Sequence, residues 1–286
     1  MSNRKIIYGT IFILAILALV FGFVSASAQN QELKVIFLNV GQGDATLIMQ
    51  GDKQVLIDGG PDGQILLEKL GKYVPFWDRK IELIVASHPD QDHIQGLTDV
   101  LEKYQIGSVI QNSDESDSQI FKKYKDLLAQ KNINIIDAQP GAKAEIGNGA
   151  GMEILGPLEE KNDKKDTNID SVVAKLTFGK NNFLFTGDSP FEEENDLLKT
   201  TEEISANVLK VSHHGSKYAT SQEFLEKVQP KEAIISVGKN NYGHPSPEIL
   251  ERLEKDKIKI IRTDESGDVE YDCPRLEENC FLLSEN

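Results

Sequence analysis

The chain has 286 residues, an apolar fraction of 39% and a formal charge of −15. This length allows one large domain or two small ones, and the composition allows a substantial core. The strong negative charge disfavours a protein that captures nucleic acid by broad electrostatic attraction, because such proteins present basic surfaces.

The first part of the chain has the pattern of an export segment. Arg4 and Lys5 precede a run without charged residues that extends from residue 6 to residue 31. The small residues Ala26–Ala28 are typical of a signal-peptide cleavage site, but roughly 20 apolar residues can also span a bilayer. Residues 1–28 are therefore predicted to be a signal peptide or a membrane anchor. Because the basic residues come first, the domain is expected to be extracytoplasmic, either secreted or anchored to the membrane by this segment.

The remaining residues, 32–286, are predicted to form one α/β domain. Apolar alternation and β-branched runs predict strands at LKVIFLNV, ATLIMQ, QVLIDGG and IELIVASH. Apolar residues at helical spacing predict helices over residues 63–73 and at GLTDVLEKY. The segment NSDESDSQ, residues 112–119, is predicted to be polar and exposed.

The second half of the chain continues with helices between strands. Helices are predicted at IFKKYKDLLAQKN, residues 190–200, SQEFLEKVQ and SPEILERLEKD, and a flexible loop at residues 159–168. Strands are predicted at INIIDA, GMEILGP, SVVAKLTFG, NNFLFTGD, NVLKVSHHG, EAIISVG and KIIRTD. Such a pattern predicts sheets covered by helices on their outer faces. Because an exported chain folds in an oxidising compartment, Cys273 and Cys280 are expected to form a disulfide.

The histidines all fall just after a predicted strand or at the start of the following loop or helix. The five are His88, His93, His213, His214 and His244. In α/β proteins, binding sites form in the loops beyond strand ends. This placement therefore points to one functional edge of the domain.

The segment SHPDQDH brings several histidine and aspartate side chains together after one strand. It contains His88, Asp90, Asp92 and His93, and the alternating residues of such a loop can point towards one location. Imidazole and carboxylate together suit zinc, manganese or iron. The alternative is a solvated acidic turn. The other clusters along the chain favour the metal site.

Three later motifs add candidate residues. Asp188 ends the strand FLFTGD, where a carboxylate can bridge two metals or simply cap a helix. His213 and His214 follow the strand LKVS, as metal ligands or as packed side chains. His244 precedes a helix N-terminus, which attracts anions, but a structural role is an equal alternative.

The motifs LNVGQGDATLI, VLIDGG, SHPDQDHIQGL, FLFTGD, LKVSHHGS and GHPSPEIL occur in this order. The chain thereby resembles the metallo-β-lactamase superfamily and, within it, the extracytoplasmic hydrolase domain of the competence protein ComEC. The resemblance extends from Leu33 to about Tyr271. It implies a four-layer αββα sandwich and two divalent metal ions, manganese or zinc, with magnesium as a further alternative.

The resemblance also implies a ligand set. His88 and Asp90 would hold the first metal, Asp92 and His93 the second, and Asp188 would bridge them. His213 is preferred over His214 to complete the second site, because it comes first after the strand.

The sequence departs from the general superfamily pattern at two points. Asp90 replaces the second histidine of the usual HxHxDH run, and the usual third-motif histidine is missing. The segment TNIDS occupies that region, so Asn168 and Ser171 are further candidates. More carboxylates and fewer imidazoles favour manganese or magnesium relative to zinc.

The expected activity is metal-dependent phosphodiester hydrolysis by a metal-activated water, with DNA as the substrate that the resemblance implies. Asp92 would orient the water, and His244 would contact the phosphate or protonate the leaving oxygen. Ser216 and Lys217 are additional candidates for the phosphate. Two alternatives remain open: hydrolysis of small extracellular esters such as phosphorylcholine esters or lactones, and a non-catalytic exported binding module. No protein partner is predicted.

Overall fold

The computed structural model describes Tyr8 and residues 11–17, 32–159, 166–200 and 203–283. Most of the predicted export segment and most of the predicted loop at 159–168 lie outside these residues. Within the described ranges, no helix is both long enough and apolar enough to cross a membrane.

The first sheet of the described chain has eight strands in the spatial order β15-β14-β1-β2-β3-β4-β5-β6. The strands from β3 to β6 run parallel, and the others pair antiparallel. The bounds are β1 Leu33–Phe37, β2 Thr46–Gln50, β3 Lys53–Ile57, β4 Lys80–Ala86, β5 Gln105–Gln111, β6 Asn134–Asp137, β14 Val269–Cys273 and β15 Phe281–Leu283.

The second sheet has seven strands in the order β13-β12-β11-β10-β9-β8-β7 within the described ranges. Its strands β10 to β13 run parallel. The bounds are β7 Lys143–Glu145, β8 Ala150–Gly156, β9 Val173–Phe178, β10 Asn181–Phe185, β11 Val208–Lys210, β12 Glu232–Ile235 and β13 Lys259–Arg262.

Helices cover the outer face of each sheet. They are α1 Gly63–Tyr73, α2 Gln91–Lys103, α3 Gln119–Gln130, α4 Phe191–Lys199, α5 Gln222–Val228, α6 Pro247–Lys255 and the short α7 Thr263–Ser266. One apolar core joins the two sheets, a second lies between the first sheet and α1 to α3, and a third lies under α4 to α6. Three cores separate four layers, so the predicted αββα sandwich is confirmed.

Several local predictions are confirmed and others are wrong. Helix α1 has the predicted bounds, and the Cys273–Cys280 disulfide is present. Helix α2 begins at Gln91, earlier than predicted, because the acidic loop itself forms the first helical turn. In the segment predicted to be exposed, Asn112 and Asp114 are buried, because the Asn112 amide donates to Asp114 and to a backbone carbonyl.

Candidate metal centre

The two sheets bring the loops at the carboxyl ends of five strands to one edge. Asp44 follows β1, Asp58 follows β3, and the segment from His88 to His93 follows β4. From the second sheet, Asp188 follows β10, and His213 and His214 follow β11. In sheets of this kind, loops beyond strand ends converge on ligand sites, and here the convergence joins residues that lie far apart in the sequence.

His93 lies in the interior of this edge, with both ring nitrogens next to carboxylates. Its Nδ1 lies 2.9 Å from Oδ2 of Asp58, and its Nε2 lies 3.3 Å from Oδ1 of Asp188. The backbone N–H and hydroxyl of Ser87 each donate to Asp58 at 2.8 Å. Asp58 is thereby fixed, and it holds the ring so that Nε2 points to Asp188, as outer carboxylates do in metal sites.

His214 completes the group from the opposite sheet. Its Nε2 lies 3.2 Å from Oδ2 of Asp92 and 3.5 Å from Oδ2 of Asp188. Its Nδ1 donates to the carbonyl of Ser236 at 2.9 Å. One ligand atom from each of Asp92, His93, Asp188 and His214 lies within 4.8 Å of the others.

His213 and His214 differ in their suitability as ligands, and the geometry favours His214, the reverse of the sequence-based preference. The side chain of His214 is 2% exposed, whereas that of His213 is 31% exposed and its Nε2 lies 3.7 Å from Asp188. Both residues have positive φ angles, 50° and 53°. Non-glycine residues are strained in this conformation, and such strain is concentrated at functional sites. The resulting turn carries both rings towards Asp188.

Lys210 and Asp44 form a buried ion pair beneath the cluster. The Lys210 ammonium also lies 3.8 Å from Oδ1 of Asp188 and donates to the carbonyl of Gly187 at 2.8 Å. Asp44 is brought in by a close backbone approach, because its N–H donates to the carbonyl of Asp92 at 3.2 Å. A side chain at Gly43 would collide with that carbonyl oxygen, so glycine is required there. Asp44, Asp58 and Lys210 belong to the cluster although no sequence motif indicated them.

The electrostatics of the cluster favour a bound cation. Burial would raise the pKa of Asp188, but His214, His93 and Lys210 hold it well below its usual value. Burial would lower the pKa of His214, but the neighbouring Asp188 and Asp44 raise it to about 10. Asp188 and Asp58 likewise raise the pKa of His93 against the effect of its burial. Carboxylates that hold protons on imidazoles this strongly will also attract metal ions in their place.

His88 provides a direct test of whether these residues fit a metal. Its Nε2 is buried, has no hydrogen-bond partner among the described residues, and lies 3.8 Å from Oδ2 of Asp90. Burial and then His93 lower the pKa of His88, so its ring is neutral and can offer a lone pair. A neutral, orphaned imidazole nitrogen beside a carboxylate is the donor set that divalent transition metals use.

Formal charge indicates how many ions the site suits. The group contains one ammonium, on Lys210, and five carboxylates, on Asp44, Asp58, Asp90, Asp92 and Asp188. With the imidazoles neutral, as a bound metal requires, these leave four net negative charges, which two divalent cations would neutralise. Three of the carboxylates, on Asp44, Asp58 and Asp188, are buried. Because uncompensated buried charge is costly, the arrangement fits two ions better than one.

An open cavity of about 730 Å³ lies over the cluster. Asp92, Asp188, His213 and His214 contribute to its floor, and Asn168 and His244 line its walls. A volume of this size is typical of sites for small molecules or for a short piece of a polymer.

The remaining predicted residues lie in different places. Ser171 is buried next to the site, with its hydroxyl 3.5 Å from Nδ1 of His88 and 3.3 Å from the backbone N of Asp188. Ser216 is buried and Lys217 is exposed, and neither lines the cavity. Of the additional candidates, Asn168, Ser171 and His214 therefore belong to the site as the structure describes it.

Similarity to known proteins identifies the family of the chain. Residues 38–239 match the family model of the metallo-beta-lactamase superfamily. The chain is 30% identical over 260 residues to ComE operon protein 3 of Bacillus subtilis, which covers 85% of the chain and 33% of that protein. It is 28% identical over 255 residues to the competence protein ComA of Neisseria gonorrhoeae, covering 87% and 34% respectively. The chain thus spans about a third of the length of these relatives.

A solved structure supports the fold independently. The metallo-beta-lactamase fold protein YhfI of Bacillus subtilis superposes with a TM-score of 0.58 at 13% identity. The alignment covers 85% of this chain and all of YhfI. With the family match extending over more than half of the sequence, the chain belongs to the metallo-beta-lactamase superfamily.

Proposed function

We propose that the protein is an exported, metal-dependent phosphodiesterase that acts on DNA. The observation that carries the proposal is the cluster of Asp92, His93, Asp188 and His214, whose ligand atoms lie within 4.8 Å of one another below an open cavity. His88 and Asp90 extend the cluster on one side. Hydrolases of this superfamily use such clusters to bind divalent metals.

The distances suggest how the residues would divide between two ions. His88 and Asp90 would hold the first ion, and Asp92, His93 and His214 the second. Asp188 would serve both, because its charge acts on His88 of the first group and its two oxygens lie next to His93 and His214 of the second. Bound divalent ions supply Lewis acidity to a phosphoryl oxygen and lower the pKa of water. Manganese and zinc both suit this donor set, and magnesium is the third alternative.

The residues of the chain itself would position the water and the phosphate and would take part in proton exchange. Asp92 has one carboxylate oxygen next to His214 and lines the cavity, where it would orient the attacking water. Burial and then His213 lower the pKa of His244, whose ring lies 5.5 Å from that of His213. A neutral His244 on the cavity wall would donate a hydrogen bond to the phosphate, whereas protonation of the leaving oxygen would require its imidazolium form, which the lowered pKa disfavours.

DNA is the substrate that agrees best with the names of the relatives and with the residues that line the cavity. The matched relatives include a protein named for competence, and the cavity walls carry the amides of Asn168 and Asn241, which can bind phosphate or bases without charge. Two bound divalent ions would offset the local negative charge, so the formal charge of −15 need not prevent a phosphodiester from reaching the site.

Export is part of the proposal. The charge-free run from residue 6 to residue 31 follows two basic residues, as in signal peptides and anchors. The Cys273–Cys280 disulfide supports folding in an oxidising compartment.

The test is to purify the full chain, remove metal with a chelator, and add manganese, zinc or magnesium back. Hydrolysis of bis-p-nitrophenyl phosphate, single-stranded DNA and double-stranded DNA is then measured beside a sample without metal. We expect metal-dependent cleavage of the small diester and of DNA. Asp92→Ala should abolish it, while Asp196→Ala, a change at a partly exposed carboxylate on α4 that pairs with Lys199, should not.

Each alternative gives a different result. Cleavage of the small diester without DNA cleavage would indicate an enzyme for small extracellular esters. Metal binding without any hydrolysis would indicate a binding module on the same fold. Full activity in Asp92→Ala, with its fold intact, would rule out the proposed mechanism.

A further inference from the structure

Phe76 and Trp77 form an exposed aromatic pair at the opposite end of the first sheet from the metal centre. They lie in the connection between α1 and β4 and are 78% and 74% exposed. Their rings meet edge to face, with centroids 4.9 Å apart. Adjacent aromatic side chains left this open to water commonly mark a surface that binds protein or membrane. The hydrolytic site does not use them.

Hydrogen bonds and strand register fix the position of this pair. Asp78, next to Trp77, accepts a hydrogen bond at 3.0 Å from the side chain of Gln54, the second residue of β3. Gln54 pairs with Met49 of β2, and Met49 pairs with Lys34 of β1. Because neighbouring strands lie about 4.8 Å apart, Gln54 and Lys34 are separated by roughly 10 Å across the sheet.

Lys34 lies at the point where the chain enters the domain. Strand β1 begins at Leu33, one residue after Glu32, which is the first charge following the run from residue 6 to residue 31. Of that run the structure describes Tyr8 and residues 11–17, which are helical from residue 11 and expose large apolar side chains. The aromatic pair and the attachment point of the apolar segment therefore lie at the same end of the sheet.

We propose that Phe76 and Trp77 insert into the interfacial region of the lipid bilayer that the N-terminal segment enters. Tryptophan is enriched at this depth because its ring is apolar and its N–H is polar. A second contact beside the anchor fixes the orientation of the domain, since a lone anchor would leave it free to rotate. The inference rests on the N-terminal segment remaining attached as a membrane anchor, one of the two forms of the proposed export, but not on the proposed hydrolysis.

Such docking would present the metal centre to the side facing away from the membrane. The site residues follow the carboxyl ends of β1, β3 and β4, whereas Trp77 precedes the first residue of β4. Seven residues of β4 extend about 23 Å. The cavity would therefore open towards the extracytoplasmic space, where a long polymer can reach it.

Trp77 is the single tryptophan of the chain, so its fluorescence reports on the contact without a label. The full chain is reconstituted into phosphatidylcholine and phosphatidylglycerol vesicles, with and without brominated acyl chains, and separated from free protein by flotation. In plain vesicles we expect the emission maximum of Trp77 at a shorter wavelength than in the unfolded chain without detergent. Aqueous acrylamide should quench this emission only weakly. Brominated lipid should quench it.

A matched control places the probe at the other end of the molecule. In Trp77→Phe combined with Tyr218→Trp, the probe occupies an exposed position beyond the carboxyl end of β11. Its emission should be insensitive to brominated lipid, and its ring should be fully accessible to acrylamide. A second variant, Phe76→Ser, should reduce the quenching of Trp77 by brominated lipid without changing the hydrolytic rate.

The proposal is overturned if the floated chain shows equal Trp77 emission in brominated and plain vesicles. It is also overturned if the full chain does not float with vesicles, because the premise of attachment then fails. Protection of Trp77 only when another protein is added would assign the surface to a protein partner instead. None of these outcomes depends on metal or on hydrolysis, so they are separate from the test of the proposed function.

Discussion

Nδ1 of His93 lies 2.9 Å from Oδ2 of Asp58, while Nε2 of the same ring lies 3.3 Å from Oδ1 of Asp188. One imidazole thus connects a carboxylate that orients it to a carboxylate that would share its metal. Asp58 is held by Ser87 and does not line the cavity. It is a positioning residue, and its effect on metal binding can be separated from an effect on the reaction.

Asp58→Asn should weaken metal binding roughly 10- to 100-fold, because loss of the outer carboxylate reduces the basicity and the orientation of a ligating histidine. Titration of chelator-treated protein with manganese, followed by calorimetry, gives the affinity directly. Activity should recover at saturating metal. Asp62→Asn is the matched control, since Asp62 is an exposed helix cap and asparagine also caps well. An unchanged metal affinity in Asp58→Asn would contradict the positioning role of Asp58.

His214→Ala should reduce metal affinity more than His213→Ala. The Nε2 of His214 lies close to both Asp92 and Asp188, whereas His213 is partly exposed and has only Asp188 at 3.7 Å. The two variants are compared by bound metal per chain after dialysis and by circular dichroism to verify the fold. The opposite order of losses would restore the sequence-based preference for His213.

Metal affinity should increase with pH. The pKa of His214 is raised to about 10 and that of His93 is also raised in the metal-free cluster. A metal can bind only the neutral rings, so protons compete with it below these pKa values and are released on binding. Calorimetry in two buffers with different ionisation enthalpies measures the number of released protons. Binding without proton release at pH 7 would contradict the prediction.

Lys210→Met should destabilise the metal-free protein by about 3–5 kcal/mol, because Asp44 would then be a buried charge without its ammonium partner. Added divalent metal should restore part of the loss by supplying positive charge near Asp44. The double variant with Asp44→Asn should be more stable than Lys210→Met alone. Urea unfolding measures these differences, and Lys259→Met, at a surface ion pair, should change stability by less than about 1 kcal/mol.

Asp272→Asn should stabilise the protein at neutral pH and not at acidic pH. Partial burial and the neighbouring Glu32 raise the pKa of Asp272 from 3.8 to about 6. The folded state therefore binds this proton more tightly than the unfolded state, and the parent protein loses stability as the pH rises from about 4 to about 6. Melting temperatures of the two proteins should converge near pH 3.5 and separate above pH 6. A constant difference at all pH values would contradict this assignment.

The sequence determined the class of the fold and most of the candidate site. Short apolar strands followed by polar loops placed His88, Asp92 and His93 at a strand end, and helix α1 was predicted with the bounds that the structure shows. These signals are local: the alternation of apolar residues and the position of each charge relative to its own strand do not depend on distant parts of the chain. The order of the motifs along the chain predicted the family, and the match to the family model confirms it.

The strands β5, β7, β14 and β15 were not predicted. Strand β5 exposes several residues, and β15 has three residues at a sheet edge. Such strands lack a clear pattern because their side chains are only partly buried, and their pairing partners decide their structure. Strand β14 pairs with β1 although more than 230 residues separate them, a contact that no local pattern contains.

Only the tertiary structure decided which charges meet inside the site. Asp44 directly follows Gly43 and Asp58 directly precedes Gly59 in turn-like segments, and Lys210 lies in an apolar strand, so none is distinctive in the sequence. They meet because the carboxyl ends of β1 and β3 in one sheet face those of β10 and β11 in the other. The choice between His213 and His214 likewise depends on two left-handed backbone angles. Local sequence fixes which residues are available, whereas packing of the two sheets fixes their distances, and distances determine metal binding.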